Sequence, residues 1–302
     1  MNTKLSLGID IGSTTIKLVL INENHEILYK TYQRHFSEPT NALKQYFKEV
    51  LPFVEGKSFS VCMSGSAGMG LANRLEIPFE QEVLACTEAI RTLIPQTDTA
   101  IELGGEDAKI TYLKGSLEQR MNGACAGGTG AFIDQMANLL NTDAKGLNDL
   151  AKKGTKIHTI ASRCGVFAKT DIQALINDGA LKEDLALSIF QAVVNQTVGT
   201  LAQGRPIEGK TVFLGGPLTF LDVLKERFIT TLNLTDDEVV KADNACYYVA
   251  FGAAICDESL EVDCQSFKDK LEALSNSESS TSYSGQALFK DDKDYQDFVD
   301  RH

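Results

Sequence analysis

The alternation of apolar and polar positions predicts the same strand–turn–strand unit twice in this chain. Residues 5–11 and 16–21 are short apolar, β-branched runs joined by the polar turn Gly12–Thr15. Residues 99–113 repeat the pattern around Gly104-Gly105. Short apolar runs on either side of such a turn are typical of β-hairpins. The repetition favours two related α/β lobes that face each other across a cleft.

The remaining segments alternate between helical and extended spacing. Residues 41–54 place Leu43, Phe47 and Val50 on one face of a predicted helix. We expect strands at 27–34, 58–63, 99–103, 109–113 and 212–214, and further helices at 80–94, 130–141, 146–153, 166–178, 182–203 and 243–256. This order of elements predicts an α/β fold.

The domain boundaries are expected to follow this order. Residues 1–95 form the first lobe, and the helix at 243–256 packs back on it. Residues 96–242 form the second lobe. The stretch at 275–282 reads SNSESSTS, which is too polar to bury the area that ordering requires. We therefore expect 257–302 to be a polar tail, and possible linker to further domains of a longer protein.

The composition excludes several classes of partner. The 302 residues are 43% hydrophobic and 23% charged, which is ordinary for a globular protein. The net charge of −12 argues against nucleic acid or an anionic membrane as a partner. We expect no signal peptide before the first strand, and no apolar run approaches the roughly 20 residues of a membrane helix. We expect a cytoplasmic protein.

The first turn is a candidate phosphate loop. Ser13, Thr14 and Thr15 offer N–H and O–H donors to phosphate oxygens, and Gly12 lets the backbone turn sharply. Asp10, at the end of the strand, would hold Mg²⁺ through water. Lys17 could touch phosphate or simply be solvated. An ordinary hairpin with polar turn residues explains this segment alone equally well, and it is neither a Walker A loop nor a dinucleotide fingerprint.

Two further glycine turns strengthen the nucleotide interpretation. Glu102 and Asp107 flank Gly104-Gly105, so that carboxylates could approach the γ-phosphate and orient a water molecule. Gly215-Gly216-Pro217 is suited to a flat contact with adenine or ribose. Three such loops in this order indicate a nucleotide site.

The seven cysteines do not resemble a disulfide scaffold, because they are odd in number and widely scattered. Cys125 and Cys164 each lie where a glycine-rich turn enters a predicted helix, and a helix N-terminus favours the metal-binding thiolate. The alternatives are a small residue in a tight turn for Cys125 and a buried thiol for Cys164. We expect the others to be buried structural thiols (Cys62, Cys86, Cys246, Cys256) or incidental (Cys264), and His158 to be a surface residue.

Five motifs together resemble one protein family. They are GIDIGSTTIK from Gly8, ELGGEDAK from Glu102, NGACAGGTGAF from Asn122, SRCGVFAKTD from Ser162 and FLGGPL from Phe213. Residues 4–256 resemble the ATPase activators of 2-hydroxyacyl-CoA dehydratases and the ATPase subunits of benzoyl-CoA reductase. These belong to the superfamily of acetate kinase, sugar kinases, heat-shock ATPases and actin. The resemblance implies two ribonuclease-H-like lobes with a nucleotide cleft between them.

The resemblance also implies cofactors and partners. It implies ATP or ADP with Mg²⁺, and one [4Fe–4S] cluster per homodimer, held by Cys125 and Cys164 of each subunit. The donor would be ferredoxin or flavodoxin and the acceptor an iron–sulfur dehydratase or reductase. Three positions depart from the family pattern: Glu102 replaces a usual Asp, Glu106 a common Gln and Ala131 a frequent Arg. The longer carboxylate of Glu102 would shift a bound water molecule and so affect hydrolysis more than binding.

Three functions therefore remain open from the sequence. The leading hypothesis is an ATP-dependent one-electron donor. The second is a small-molecule kinase of the same superfamily, for which no segment provides an obvious acceptor site. The third is a nucleotide-gated binding module without turnover.

Overall fold

Two mixed sheets that share the arrangement of their first four strands form the framework of the computed structural model, which describes residues 4–122, 127–162, 165–274, 289 and 291–301. The strands are β1 (Leu5–Ile11), β2 (Thr15–Asn22), β3 (Ile27–Arg34), β4 (Ser58–Ser64), β5 (Thr99–Leu103), β6 (Ala108–Tyr112), β7 (Glu118–Met121), β8 (Thr211–Leu214), β9 (Val239–Val240) and β10 (Leu260–Asp263).

The described α-helices lie between and around these strands. They are α1 (Pro39–Val54), α2 (Met69–Leu75), α3 (Glu82–Leu93), α4 (Gly130–Leu139), α5 (Ala144–Ala151), α6 (Gly165–Asn177), α7 (Lys182–Thr197), α8 (Gly216–Phe220), α9 (Asp222–Leu232), α10 (Tyr248–Ala254), α11 (Cys264–Ala273) and α12 (Asp292–Arg301). A π-helix (Val198–Ala202) continues α7, and a 3₁₀ turn (Ala245–Tyr247) leads into α10.

The strand order shows the repeat directly. The first sheet runs β10-β4-β1-β2-β3 and the second runs β7-β6-β5-β8-β9. In each sheet an antiparallel hairpin, β1–β2 or β5–β6, is extended by a third antiparallel strand and flanked on its other side by a parallel strand. The α/β class and the two hairpins are confirmed. Both turns point into the space between the two sheets, where they line a common cavity.

Three apolar cores hold this arrangement. One lies between the first sheet and α1, α2 and α11, and a second lies between the second sheet and α4, α5, α7 and α9. The third is formed by α3 and α10 against residues of both sheets, including Val19, Ala100 and Val212. The predicted helix at 243–256 is α10 with its preceding 3₁₀ turn, and it packs against β1 and α3.

Residues 257–274, which we expected to belong to the polar tail, contain β10 and α11. β10 pairs antiparallel with β4, and α11 buries Phe267 and Leu271 in the first core. Cys264, which we expected to be incidental, begins α11 and is only 4% exposed. The apolar positions of this segment are too few for a pattern, and they become buried only because β4 and α1 lie beside them. The low-complexity stretch at 275–282 lies outside the described residues.

Several short elements were not predicted, namely α2, α8, α9, β7 and β9. Each is short or mixed in polarity, so its sequence has no clear period. The predicted helix at 182–203 is α7 followed by the π-helix. Lys182–Ala202 has the length and apolar composition of a membrane span, but 67% of its apolar window is buried inside the protein. It therefore packs as a core helix, in contact with α5 and α9.

Candidate nucleotide site between the two hairpins

The two hairpins place the same types of side chain at the same register. Asp10 lies opposite Lys17 in the first hairpin, and Glu102 lies opposite Lys109 in the second. Each turn is closed by one bond from a glycine N–H, Gly12 to the Thr15 carbonyl at 2.9 Å and Gly104 to the Asp107 carbonyl at 2.8 Å. An acidic residue and a lysine seven positions apart therefore flank both turns.

The two turns lie against each other across the cleft. A Cβ atom added to Gly105 would collide with the hydroxyl and methyl of Thr14, so any side chain at this position would have to displace Thr14 from the facing loop. Gly12, which we expected to be needed for a sharp turn of the backbone, does not have that role. Its φ is not positive, and an added Cβ would lie 3.7 Å from the Thr15 carbonyl oxygen, an ordinary contact. The first turn does not itself demand glycine at position 12.

The predicted site residues line one set of adjoining cavities. The largest, of about 530 Å³, is bordered by the candidate residues Asp10, Gly12, Ser13, Thr14, Thr15, Lys17, Glu102, Gly104, Gly105 and Asp107. A second, of about 260 Å³, lies on the other side of Thr14 and Gly105 and reaches Gly216 and Pro217. A small cavity that includes Gly215 lies between them. All three candidate loops therefore meet in the cleft, as their order suggested.

Asp10 and Lys17 form a buried ion pair. Lys17 Nζ lies 2.6 Å from Asp10 Oδ2, and the two side chains are 15% and 3% exposed. Burial by itself lowers the pKa of Lys17, but the charge and hydrogen bond of Asp10 outweigh that effect and raise the pKa above its usual value. Lys17 is therefore a permanent cation at the base of the first loop, and it neutralises Asp10 there.

Lys109 has three carboxylates around it. Its ammonium lies 2.6 Å from Asp107 and 3.8 Å from Glu102, and it also contacts Glu82 of α3. Burial lowers the pKa of Lys109, but Glu102, Asp107 and Glu82 together raise it well above its usual value. Burial raises the pKa of Glu102, while the charge of Lys109 opposes that shift. This cluster keeps an excess of negative charge beside the second loop.

Sequence reasoning missed Glu82 and gave no role to Lys109. The lysine could have been found, because it stands seven residues after Glu102 as Lys17 stands seven after Asp10. Glu82 had no such signal. It comes from α3, at the edge of the first lobe, and only the packing of the lobes brings it to Lys109.

The first loop is held by the segment that follows β3. His35 is 6% exposed, its Nε2 lies 2.9 Å from the Gly12 carbonyl oxygen, and its backbone N–H donates to the Thr14 carbonyl at 3.2 Å. The preceding residue, Arg34, forms an ion pair with Asp134 of α4 at 2.6 Å across the smaller cavity. Neither His35 nor this ion pair was predicted from sequence.

The second loop is bonded directly to helix α4. The first N–H groups of the helix, from Gly130 and Ala131, donate to the carbonyls of Gly104 and Gly105 at 3.0 and 2.7 Å. These donors have no partner within a helix, so external carbonyls satisfy them here. The loop and the N-terminus of α4 therefore form one bonded unit.

The two candidate metal ligands, Cys125 and Cys164, lie outside the described residues. The helices that follow them in the chain, α4 and α6, begin close together, because a Cβ at Gly165 would be 3.5 Å from the ring of Phe132. Among the residues that the structure describes, no group of three or more His, Cys, Asp or Glu side chains could hold a metal ion. Two thiolates from each of two chains would fit the donor set of an iron–sulfur cluster.

Comparison with known proteins gives a consistent result. The sequence profile of the BadF/BadG/BcrA/BcrD ATPase family matches residues 7–256. The (R)-2-hydroxyglutaryl-CoA dehydratase activating ATPase of Acidaminococcus fermentans is 32% identical over 216 residues, covering 70% of this chain and 82% of the relative. The activator of lactoyl-CoA dehydratase of Anaerotignum propionicum is 28% identical over 258 residues, covering 83% and 96%.

A solved structure has the same fold. Component A of the Acidaminococcus fermentans (R)-2-hydroxyglutaryl-CoA dehydratase superposes with a TM-score of 0.74 at 27% identity, covering 83% of this chain and 96% of that one.

Proposed function

Because this chain belongs to the BadF/BadG/BcrA/BcrD ATPase family, we propose that it is an ATP-dependent one-electron donor that activates an iron–sulfur partner enzyme. The names of its relatives indicate a 2-hydroxyacyl-CoA dehydratase, or a related reductase, as that partner. The active form is a cytoplasmic homodimer that receives electrons from ferredoxin or flavodoxin. The proposed lobes are 1–95 and 96–242, with α10, β10 and α11 added to the first.

ATP and Mg²⁺ bind where the three loops meet. The amides and hydroxyls of Ser13, Thr14 and Thr15 and the backbone of Gly104-Gly105 bind the phosphates, with Gly12 and Lys17 at the base of the first loop. Gly215-Gly216-Pro217 contacts the adenosine. Oxygen ligands suit Mg²⁺, and Asp10 holds it through water. Glu102 and Asp107 orient the attacking water molecule at the γ-phosphate.

The observation that carries the proposed coupling is the pair of hydrogen bonds from α4 to the second loop. Nucleotide contacts at Gly104-Gly105 act on the carbonyls that accept from Gly130 and Ala131. Movement of the loop is thereby transmitted to the helix that follows Cys125. The proposed dimer has two geometries, and ATP shifts the equilibrium between them only as far as its affinities for the two differ.

Cys125 and Cys164 of both subunits hold the [4Fe–4S] cluster in this proposal. When bound, the cluster supplies one-electron redox chemistry. A symmetric dimer is required because two cysteines per chain fill half of the four positions. Val166 and Phe167, two and three residues after Cys164, are 72% and 66% exposed in the single chain, and they offer apolar surface to a second copy.

The test is anaerobic purification followed by iron and sulfide analysis, size-exclusion chromatography and an ATPase assay. We expect about four irons per dimer and nucleotide-dependent electron transfer to an iron–sulfur acceptor. Cys125→Ala and Cys164→Ala should each lose the iron, whereas the matched control Cys256→Ala should keep it. An iron-free monomer, or full iron content in both cysteine variants, would contradict the proposal.

A small-molecule kinase is the second candidate, and the cavity of about 530 Å³ favours it. The volume is within the range of ligand pockets, and it lies on the side of the loops away from Gly216 and Pro217. A kinase would transfer the γ-phosphate to an acceptor in that cavity. Quantitative release of inorganic phosphate from ATP, without a phosphorylated acceptor, would exclude this candidate.

A further inference from the structure

His35 has an unusual place beside the first phosphate loop. Its ring donates to the Gly12 carbonyl through Nε2, because a carbonyl oxygen only accepts and the proton must therefore be on that nitrogen. Nδ1 is buried and has no hydrogen-bond partner among the described residues. A buried polar atom without a partner destabilises a protein, so packing alone does not account for a histidine here.

The bond from His35 changes the hydrogen bonding of the turn. In a two-residue hairpin loop the flanking residues, here Gly12 and Thr15, usually exchange two hydrogen bonds. Gly12 N–H donates to the Thr15 carbonyl, but the return bond from Thr15 N–H to the Gly12 carbonyl is absent from the turn as the structure describes it. The His35 ring occupies that carbonyl instead.

His35 also fixes the orientation of two peptide units of the loop, Gly12–Ser13 and Thr14–Thr15. His35 fixes the Gly12 carbonyl with its ring and the Thr14 carbonyl with its backbone N–H. In a planar trans peptide the C=O and the N–H point in opposite directions. The N–H groups of Ser13 and Thr15 therefore point away from His35, and both residues line the cavity.

The chain holds His35 in this place despite local backbone strain. Phe36 and Ser37, the next two residues, have φ values of 47° and 64°, which non-glycine residues seldom adopt. Their turn is closed by Glu38 N–H, which donates to the His35 carbonyl at 2.7 Å. Strained backbone of this kind persists where the surroundings determine it and often marks functional segments.

We propose that His35 is a positioning residue that keeps the first loop open, so that the N–H groups of Ser13 and Thr15 remain available to an anionic phosphate group. The inference rests on the proposed nucleotide site. The His35 ring replaces Thr15 N–H as the donor to Gly12, and the released amide becomes a ligand donor. Without the ring, the turn would close on itself as an ordinary hairpin.

The first test is amide exchange of Thr15 in the nucleotide-free protein, which does not depend on the proposed function. His35→Leu removes the donor, and we expect slower exchange of Thr15 than in wild type because its N–H now bonds to Gly12. His35→Gln offers an amide donor and should restore wild-type exchange. If His35→Leu does not fold, His35→Asn, which is too short to reach Gly12, replaces it. Unchanged exchange in the donor-free variant would overturn the inference.

The second test is titration with Mg²⁺ and a non-hydrolysable ATP analogue. We expect His35→Leu to weaken binding about tenfold without lowering the thermal unfolding midpoint, because the Gly12 carbonyl regains a donor in Thr15 N–H and the unpaired Nδ1 is removed. His35→Gln should bind as wild type, and His25→Asn, in an exposed turn of the same lobe, is the matched control. Wild-type affinity in His35→Leu would overturn the inference. Absence of binding by the wild-type protein would instead overturn the nucleotide site itself.

Discussion

The two candidate phosphate loops share a backbone pattern but are anchored to different parts of the molecule. In each loop the carbonyl of the first glycine accepts from a donor outside the turn. For Gly12 that donor is the ring of His35, and for Gly104 it is the N–H of Gly130, the first residue of α4. The first loop is therefore tied to a side chain of its own lobe, and the second to the helix that follows Cys125.

The charges differ as well. The first loop has one buried pair, Asp10 with Lys17, whereas Lys109 of the second loop has three carboxylates near it. The first loop, in which one cation balances one carboxylate and which is bonded to its own lobe, suits a fixed part of the site. A loop with excess negative charge, bonded to α4, suits a part that responds to a bound Mg²⁺–nucleotide. We therefore propose that one loop of the duplicated hairpin positions the nucleotide and that the other transmits its presence.

The largest effect on ATP hydrolysis is expected from replacing Asp10 and Glu102, the acidic residues at equivalent positions of the two hairpins. Asp10→Asn should lower kcat/KM for ATP hydrolysis about 100-fold or more by weakening the metal site. Glu102→Gln should lower it less, about tenfold, because Asp107 remains beside the water molecule. Steady-state phosphate release measures both, with Glu88→Gln on the exposed face of α3 as control. Equal losses would remove the proposed difference between the loops, and full activity in Asp10→Asn would sink the metal assignment.

Replacing Gly105 or Gly12 by alanine should change the free energy of unfolding by different amounts in the two loops. Gly105→Ala forces Thr14 aside, and we expect a loss of about 1–3 kcal/mol in the free energy of unfolding. Gly12→Ala meets only an ordinary contact and should stay within about 0.5 kcal/mol of wild type. Denaturant unfolding of the nucleotide-free protein compares them. A larger loss for Gly12→Ala than for Gly105→Ala would contradict the geometry.

A proline in the first turn of α4 should weaken the coupling and leave the helix intact. Ala131→Pro removes the N–H that donates to Gly105, at a position where helices tolerate proline. We expect a loss of about 1 kcal/mol in stability and a smaller difference between the ADP and ATP-analogue states in amide exchange over 127–140. Lys145→Pro, at the same position of α5, is the matched control. An unaltered nucleotide response in Ala131→Pro would show that the coupling runs elsewhere.

The smallest effect is a shift in pH dependence. Burial raises the pKa of Glu102, and Lys109 opposes that shift. Lys109→Met should therefore raise the pKa of Glu102 further, because the negative charges of Asp107 and Glu82 remain. Lys17 is then the cation that still opposes this shift. If ionised Glu102 orients the water molecule, the acidic side of the profile of kcat/KM against pH moves to higher pH. Lys109→Arg should keep the wild-type profile, and a shift to lower pH in Lys109→Met would be evidence against this role.

The sequence by itself determined the local parts of this protein. Glycine and polar residues between β-branched runs specify the hairpins at 5–22 and 99–112, because turn formation and strand alternation depend on neighbouring residues. Their repetition predicted the two-lobed α/β fold, and the candidate residues of all three loops do meet in the cleft. The predicted residues of the first loop line the cavity, although its turn does not demand glycine at position 12.

Only the tertiary structure decided which distant residues complete the site. Glu82 reaches Lys109 from another lobe, His35 reaches Gly12 from the end of β3, and α4 bonds the second loop. β10 and α11 likewise became part of the first lobe through β4 and α1. No local period encodes such contacts. They arise when packed elements leave particular donors and carbonyls within reach, and buried polar groups must then find partners there.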